Sequence, residues 1–161
     1  MIPVALLDAN VLIALIDPKH VHHESCHRWF SSRGEAPWAS CVITQNAVLR
    51  IVGHPRYPNS PGSPAVVSRI LEDLVGHPQH RFWADAPSLL GLSHVNPRAL
   101  VDSGQITDTY LLALAMQQGG VLASLDQRLT TVAVAGGQAS LELIATDTAG
   151  LAGHAPERAS Q

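Results

Sequence analysis

A carboxylate interrupts the first apolar run of the chain. Asp8 lies between the apolar residues 4–7 and 11–13. This pattern predicts a buried strand followed at once by a buried helix, with Asp8 at the strand's carboxyl end, where open α/β sheets place their ligand sites. A charge among apolar residues is costly unless it is paired or bound to a metal ion. Asp8 could equally be the N-cap of the helix.

Two more aspartates occupy comparable positions. Asp126 follows an apolar strand predicted at 121–124, and Asp108 lies in the first turn of a helix predicted at 107–116, with Thr107 or Asp108 as its cap. The first and the penultimate strand of a parallel sheet can be neighbours at the topological switch point, so the three carboxylates would face one cleft. The alternative is three independent helix caps.

Converging carboxylates repel one another unless a cation lies among them. Oxygen ligands select hard cations such as Mg²⁺ or Mn²⁺, which orient a water molecule and stabilise charge on a phosphate. Asn10 could hydrogen-bond to Asp8 or to a metal-bound water, or cap its own helix. Ser124 could orient an acid or a water, or be a small residue at a strand end. Thr107 is predicted to support the site from a cap position.

Histidines offer a second kind of metal site. His23 and His27 are four residues apart on a predicted helix, with Cys26 between them, so two ligands could share a helix face. No second ligand pair occurs at the spacing of a structural zinc site, and a solvated helix face is the better interpretation.

Strands and helices alternate along the chain, which predicts a parallel sheet covered by helices on both faces. The segment 54–64 is rich in proline and reads as a loop, and 84–103 could hold short helices. The predicted strands are 4–7, 37–40, 81–83, 121–124 and 141–144, and the predicted helices are 10–16, 20–32, 42–52, 65–75 and 107–116.

Composition limits the classes of protein to consider. The chain has 161 residues, of which 46% are hydrophobic, and a net charge of -3. This length predicts one domain, and the charge argues against broad binding to polyanions, although ten Lys and Arg residues could form a local basic patch. We expect a cytoplasmic protein, because no apolar run could span a membrane and the N-terminus lacks a signal sequence. Cys26 and Cys41 suit reduced thiols at least as well as a disulfide.

Three segments, at residues 6–12, 106–115 and 122–126, resemble in their order and spacing a PIN domain, and most closely the VapC toxins of type II toxin–antitoxin systems. The resemblance covers about residues 2–144. It implies a three-layer α/β/α sandwich with a central parallel sheet, and a Mg²⁺- or Mn²⁺-dependent endoribonuclease that acts as a toxin. On this resemblance Asp8, Asp108 and Asp126 are the metal-binding catalytic acids.

The resemblance also implies an organisation and partners. We expect a PIN-like nuclease domain at 1–148, followed by a flexible tail at 149–161. The implied partners are a cognate antitoxin protein, an RNA substrate and a second copy of the chain in a homodimer, with no membrane.

One position departs from the family pattern. PIN domains usually carry a glutamate on the helix after the second strand, where this chain has Gln45, or Asn46 if the register shifts by one. An amide oxygen can coordinate a metal ion but brings no charge, which disfavours a second ion. Glu24 and Glu35 are predicted to lie on solvated faces. Arg50, one turn beyond Asn46, could contact RNA phosphate or a carboxylate, or be a plain surface arginine.

The missing glutamate favours one alternative function, a catalytically weak or inactive PIN-like module that binds RNA or protein. A phosphatase of the haloacid dehalogenase type also begins with an aspartate at a strand end. That family has a second aspartate two residues later, where this chain has Asn10.

Overall fold

Five short strands form one parallel sheet in the computed structural model, which describes residues 1–147. The spatial order is β3-β2-β1-β4-β5, so the sheet reverses its direction of growth between β1 and β4. This is the topological switch point, and the predicted adjacency of the first and penultimate strands is confirmed. The strands are β1 (Ala5–Leu7), β2 (Trp38–Cys41), β3 (His80–Trp83), β4 (Val121–Ser124) and β5 (Leu141–Leu143).

The central strand β1 is buried on both faces. Ala5 and Leu7 point into one apolar cluster and Leu6 into the other, and all three side chains are fully buried. Successive side chains of a strand point to opposite faces of the sheet. A strand covered on both sides therefore reads as a continuous apolar run, which is why β1 is visible in the sequence.

Helices cover both faces of the sheet and make the predicted three-layer α/β/α sandwich. Four helices contribute to the apolar cluster that contains Leu7: α1 (Ala9–Ile16), α2 (His23–Ser32), α3 (Val42–Val52) and α4 (Pro64–Val75). The helix α5 (Ile106–Gln117) packs on the opposite face, against Leu6 and Leu122. Gly120 begins the return from α5 to β4. A Cβ there would lie 2.4 Å from the carbonyl oxygen of Val4, so only glycine fits at this crossing.

Two predicted helix starts are wrong. The helix α2 begins at His23 instead of residue 20, because residues 17–23 form successive turns in which His20 N donates to Asp17 O and His23 N donates to His20 O. The helix α5 begins at Ile106, so Thr107 lies inside its first turn and neither Thr107 nor Asp108 is the N-cap. A short 3₁₀ turn, Ser103–Gln105, precedes the helix instead.

The histidines of α2 hold α1 and do not form a zinc site. His23 Nδ1 lies 2.7 Å from Ala14 O, and His27 Nε2 lies 2.9 Å from Leu15 O. These carbonyls belong to the last turn of α1, where no helical N–H remains to pair with them. Within residues 1–147, no group of three or more His, Cys, Asp or Glu side chains could hold a metal ion as arranged.

Several other expectations can be placed on the structure. Cys26 and Cys41 are both free and buried. Glu24 and Glu35 are exposed, as predicted. Within the described residues, every helix is too short or too polar to cross a bilayer. The predicted tail at 149–161 lies outside the described residues.

Candidate active site at the carboxyl edge of the sheet

Asp8 lies where β1 ends and α1 begins, and the predicted N-cap is confirmed. One carboxylate oxygen, Oδ1, accepts a hydrogen bond of 2.7 Å from Ala9 N, so Asp8 is the N-cap of α1. The other, Oδ2, accepts a hydrogen bond of 2.7 Å from Ser124 Oγ at the end of β4. The hydrogen bond from Ala9 N fixes the direction of the Asp8 side chain. The hydrogen bond from Ser124 ties the same side chain to the neighbouring strand β4. Only 8% of Asp8 is exposed.

The hydroxyl of Ser124 joins three parts of the site. While it donates to Asp8, its oxygen accepts from Asp126 N at 3.1 Å and from Asn10 Nδ2 at 3.3 Å. Asn10 Oδ1 in turn lies 3.4 Å from Leu125 N. Ser124 is fully buried, so this hydroxyl is held by the protein alone. The predicted roles of Ser124 and Asn10 therefore take a definite form: Asn10 binds the serine, and the serine orients the acid.

Asp108 and Asp126 line one cavity of about 360 Å³. Asp126 is exposed, and its Oδ1 accepts a hydrogen bond of 2.9 Å from Arg128 N, which fixes the turn after β4. Asp108 reaches the cavity from the first turn of α5 on the other side. The cavity is also lined by Val101, Asp102, Gly104, Gln105, Arg128, Thr130 and Val132.

Neighbouring carboxylates influence the ionisation of two of the three acids, Asp8 and Asp108. Burial raises the pKa of Asp8, and the nearby charge of Asp126 raises it further, although the hydrogen bonds from Ser124 and Ala9 N oppose both effects. Burial and the charges of Asp8 and Asp126 raise the pKa of Asp108 to about 6. No cation contributes to either shift. The arrangement therefore stores electrostatic repulsion that a positive ion would relieve.

These donors fit a hard divalent cation in their chemistry. All three are carboxylates, and their mutual repulsion provides a reason to bind a positive charge. Within residues 1–147 the three side chains as arranged do not enclose an ion. Mg²⁺ usually takes one or two protein carboxylates and keeps several waters, so few direct protein ligands suffice. Asp8, Asp108 and Asp126 are the residues that would hold it.

Gln45, the residue at the position where the family pattern has a glutamate, is hydrogen-bonded to β2. Its Nε2 donates to Ser40 Oγ at 2.9 Å, and the same oxygen lies 2.8 Å from His80 Nε2. The ring of His80 also forms a hydrogen bond with the backbone of Val75. Because the amide of Gln45 donates to Ser40, the hydroxyl is free to donate to a neutral His80. Burial lowers the pKa of His80 and favours this neutral form.

Two further predicted residues, Arg50 and Thr107, are exposed on their helices. Arg50 is exposed on α3 and lines a different cavity, of about 960 Å³, between the end of α3 and the start of α4. This is the larger cavity, but no carboxylate lines it, so it does not suit metal-assisted chemistry. Thr107 is exposed on α5 and does not cap that helix.

Sequence analysis missed Gln105. This residue is nearly buried, with 7% exposed, and its side chain fixes the loop beside Asp108. Its Oε1 accepts hydrogen bonds of 2.9 Å from both Val101 N and Asp102 N, and its Nε2 donates to Ala99 O at 3.0 Å. The mark it leaves in the sequence is the capping-box spacing of Asp102 and Gln105 before an apolar helix, which does not indicate that the side chain also holds the loop at Ala99 and Val101.

Comparisons with known proteins match most of this chain. A family model described as PIN domain matches residues 5–135. Ribonuclease VapC44 of Mycobacterium tuberculosis is 42% identical over 132 residues, which cover 82% of this chain and 92% of that protein. Ribonuclease VapC39 of the same organism is 36% identical over 132 residues, 82% of this chain and 95% of the relative. Ribonuclease VapC38 is 33% identical over 140 residues, 87% and 97% of the two chains.

Proposed function

This chain belongs to the PIN domain family, and on that premise we propose that it is a divalent-metal-dependent endoribonuclease, the toxin of a toxin–antitoxin pair. The observation that carries the proposal is that Asp8, Asp108 and Asp126 lie close enough together at the switch point for neighbouring charge to raise the pKa of Asp8 and of Asp108. The names of the relatives support RNA as the substrate.

We assign the chemistry as hydrolysis of RNA phosphodiester bonds. A divalent ion at the three aspartates, Mg²⁺ or Mn²⁺, supplies positive charge that orients a water molecule and stabilises charge on the phosphate. Ser124 holds the Asp8 carboxylate in one orientation, and the turn at Asp126 is held by the same hydroxyl. Asn10 supports that hydroxyl from α1. Gln45, Arg50 and Thr107 remain weaker proposals, since none of them is hydrogen-bonded to the three acids within the described residues.

The biological setting follows from the same family. We propose that a cognate antitoxin protein neutralises the chain, that the chain forms a homodimer, that it acts in the cytoplasm, and that residues 1–148 are the nuclease domain. Sedimentation velocity tests both assemblies: the chain alone should sediment as a homodimer, and the chain co-expressed with the protein encoded by the neighbouring gene should sediment as the antitoxin complex.

The test is cleavage of RNA by the purified chain. We expect cleavage with Mg²⁺ or Mn²⁺ and none in excess chelator. The Asp126→Asn variant should be inactive, because it keeps the shape of the turn and removes one charge. Asp73→Asn, on the exposed side of α4, is the matched control and should remain active. Cleavage that survives the chelator, or that persists in Asp126→Asn, would reveal a metal-free mechanism or a contaminating nuclease and overturn the proposal.

A second function has one specific observation in its favour. Gln45 replaces the glutamate that the family pattern leads one to expect, and it is bound to Ser40. A chain that binds RNA in chelator but cleaves none with either ion would be a binding module instead of a nuclease.

A further inference from the structure

The cavity beside Asp108 and Asp126 has a second set of residues that the proposed chemistry does not use. Besides Asp108 and Asp126, its lining includes a third carboxylate, Asp102, together with an arginine, a threonine and two valines: Arg128, Thr130, Val101 and Val132. The valines are strongly exposed, 86% for Val101 and 68% for Val132. The proposed metal chemistry uses neither the two exposed aliphatic side chains nor the guanidinium of this acidic cavity.

The walls of this cavity are rigidly joined. Val95 and Val134 form an isolated antiparallel bridge, and the flanking hydrogen bonds, Asn96 N to Ala133 O and Ala135 N to His94 O, are both 2.8 Å long. On the other side, Gln105 holds the backbone at Val101 and Asp102 through its buried amide. The cavity is therefore already formed before any ligand binds, which lowers the entropic cost of binding.

Arg128 is available to bind an anion. The salt bridges within residues 1–147 involve Arg28 and Arg33, and Arg128 takes part in none of them. Its backbone N–H, by contrast, is fixed by Asp126 Oδ1. The backbone of Arg128 is thus held by Asp126, an acid of the site. The guanidinium of Arg128 has no carboxylate partner within residues 1–147. Guanidinium groups match phosphate geometry and bind it through two hydrogen bonds.

Resting on the proposed function, we propose that this cavity holds one nucleotide of single-stranded RNA next to the scissile bond. Arg128 binds the phosphate of that nucleotide, and its base packs between Val101 and Val132. The volume of about 360 Å³ is at the small end of ligand cavities, which run from about 300 to 1,000 Å³, and it matches a ligand the size of one nucleotide. Unpaired bases that can leave the stack are the usual targets of sequence-selective RNA binding.

Binding in chelator tests the phosphate contact without requiring cleavage. The probe is a short fluorescent single-stranded RNA, and its affinity is measured over a range of salt concentrations. Each phosphate contact to single-stranded nucleic acid adds about 0.7 to the slope of log affinity against log salt. Arg128→Ala should weaken binding roughly tenfold and lower the slope by about 0.7, whereas Arg128→Lys should keep the slope. Arg69→Ala, an exposed arginine on α4 across the sheet, should change neither quantity.

The base contact needs a second series of probes. In each RNA one nucleotide is replaced by an abasic one, and one position in the series should bind the unmodified chain more weakly. In a variant with Val101→Ser and Val132→Ser, that difference should disappear. Both side chains are exposed, so the variant should fold.

The outcomes separate this inference from the proposed function. In cleavage assays with the divalent ion, Arg128→Ala should raise KM and leave kcat within about threefold, as expected when a contact made equally in the ground and transition states is lost. If the unmodified chain cleaves RNA but Arg128→Ala has the same affinity, salt slope and KM, the nucleotide subsite is wrong and the nuclease stands. If the unmodified chain cleaves nothing while Arg128→Ala still weakens RNA binding, the nuclease is wrong and the subsite stands. A chain that does not bind RNA overturns both.

Discussion

Replacing Asp108 by asparagine should stabilise the metal-free protein at neutral pH. Burial and two neighbouring carboxylates raise the pKa of Asp108 from 3.8 to about 6. At 1.36 kcal/mol for each pKa unit, this difference corresponds to about 3 kcal/mol of unfavourable free energy once the group is ionised. Because the side chain is only half-buried, solvent screening reduces the effect to roughly 1–2 kcal/mol. For a chain of this length, that gain should raise Tm by about 2–8 °C.

The pH dependence gives this prediction its sign. The folded protein binds the Asp108 proton more tightly than the unfolded chain does, so stability falls as pH rises from about 4 to about 6. The advantage of Asp108→Asn should therefore be full at pH 7.5 and nearly absent at pH 4. Adding Mg²⁺ should stabilise the unmodified chain more than the variant, since the ion binds the folded state and loses one carboxylate in the variant.

Thermal unfolding followed by calorimetry, in chelator and in Mg²⁺ at both pH values, measures these differences. Asp102→Asn is the matched control, because Asp102 lines the same cavity and asparagine can still accept the hydrogen bond from Gly104 N. An Asp108→Asn variant that is no more stable at pH 7.5, or whose gain is the same at both pH values, would refute the electrostatic account of the site.

Three more substitutions test other parts of the site. Asp8→Asn keeps the cap on α1 and should reduce RNA cleavage by orders of magnitude with the circular dichroism spectrum unchanged; undiminished cleavage would make Asp8 a cap only. Ser124→Ala should lower the free energy of unfolding in urea by about 1–3 kcal/mol, because Asp8 loses a buried donor, and a neutral result would remove Ser124 as the organising group. Gln45→Glu replaces the donor beside Ser40 with an acceptor, so the Ser40 hydroxyl donates to the glutamate and His80 must donate to the Ser40 oxygen. NMR titration should then show a higher pKa for His80. An unchanged pKa would refute the hydrogen bond from the Ser40 hydroxyl to His80 in the unmodified chain.

The inner strands of the sheet could be predicted from the sequence because they are buried on both faces. Runs such as Ala5–Leu7 and Val121–Ser124 are continuously apolar, and each ends at a polar residue where the chain leaves the core. The start of α2 could not be predicted this way. Residues 20–22 carry helix-compatible side chains, and what excludes them from the helix is a turn that begins at Asp17 and is fixed by the packing of α1.

The candidate acids were visible for the same reason, but their supporting contacts were not. Ser124 stands out only as a small residue at a strand end, and its role depends on β4 lying beside β1. The partner of Gln45 was hidden because Ser40 meets His80 only when β2 pairs with β3. Gln105 acts on backbone groups of an irregular loop, which no periodicity marks.

The order of strands in the sheet also has a consequence for how the chain is made. Of the five strands of this sheet, the central one leaves the ribosome first, yet its partner β4 follows only after more than a hundred residues, and Ser124 donates to a carboxylate 116 positions earlier. Contacts between such distant positions close late and slow folding. Until α5 and β4 have emerged, Leu6 lacks the helix that covers it, and Asp8 lacks both the serine that orients it and the two acids it must meet. A nascent chain that ends before β4 therefore contains Asp8 without the serine and the acids that it meets in the folded protein, so the proposed centre cannot assemble until synthesis has passed Asp126.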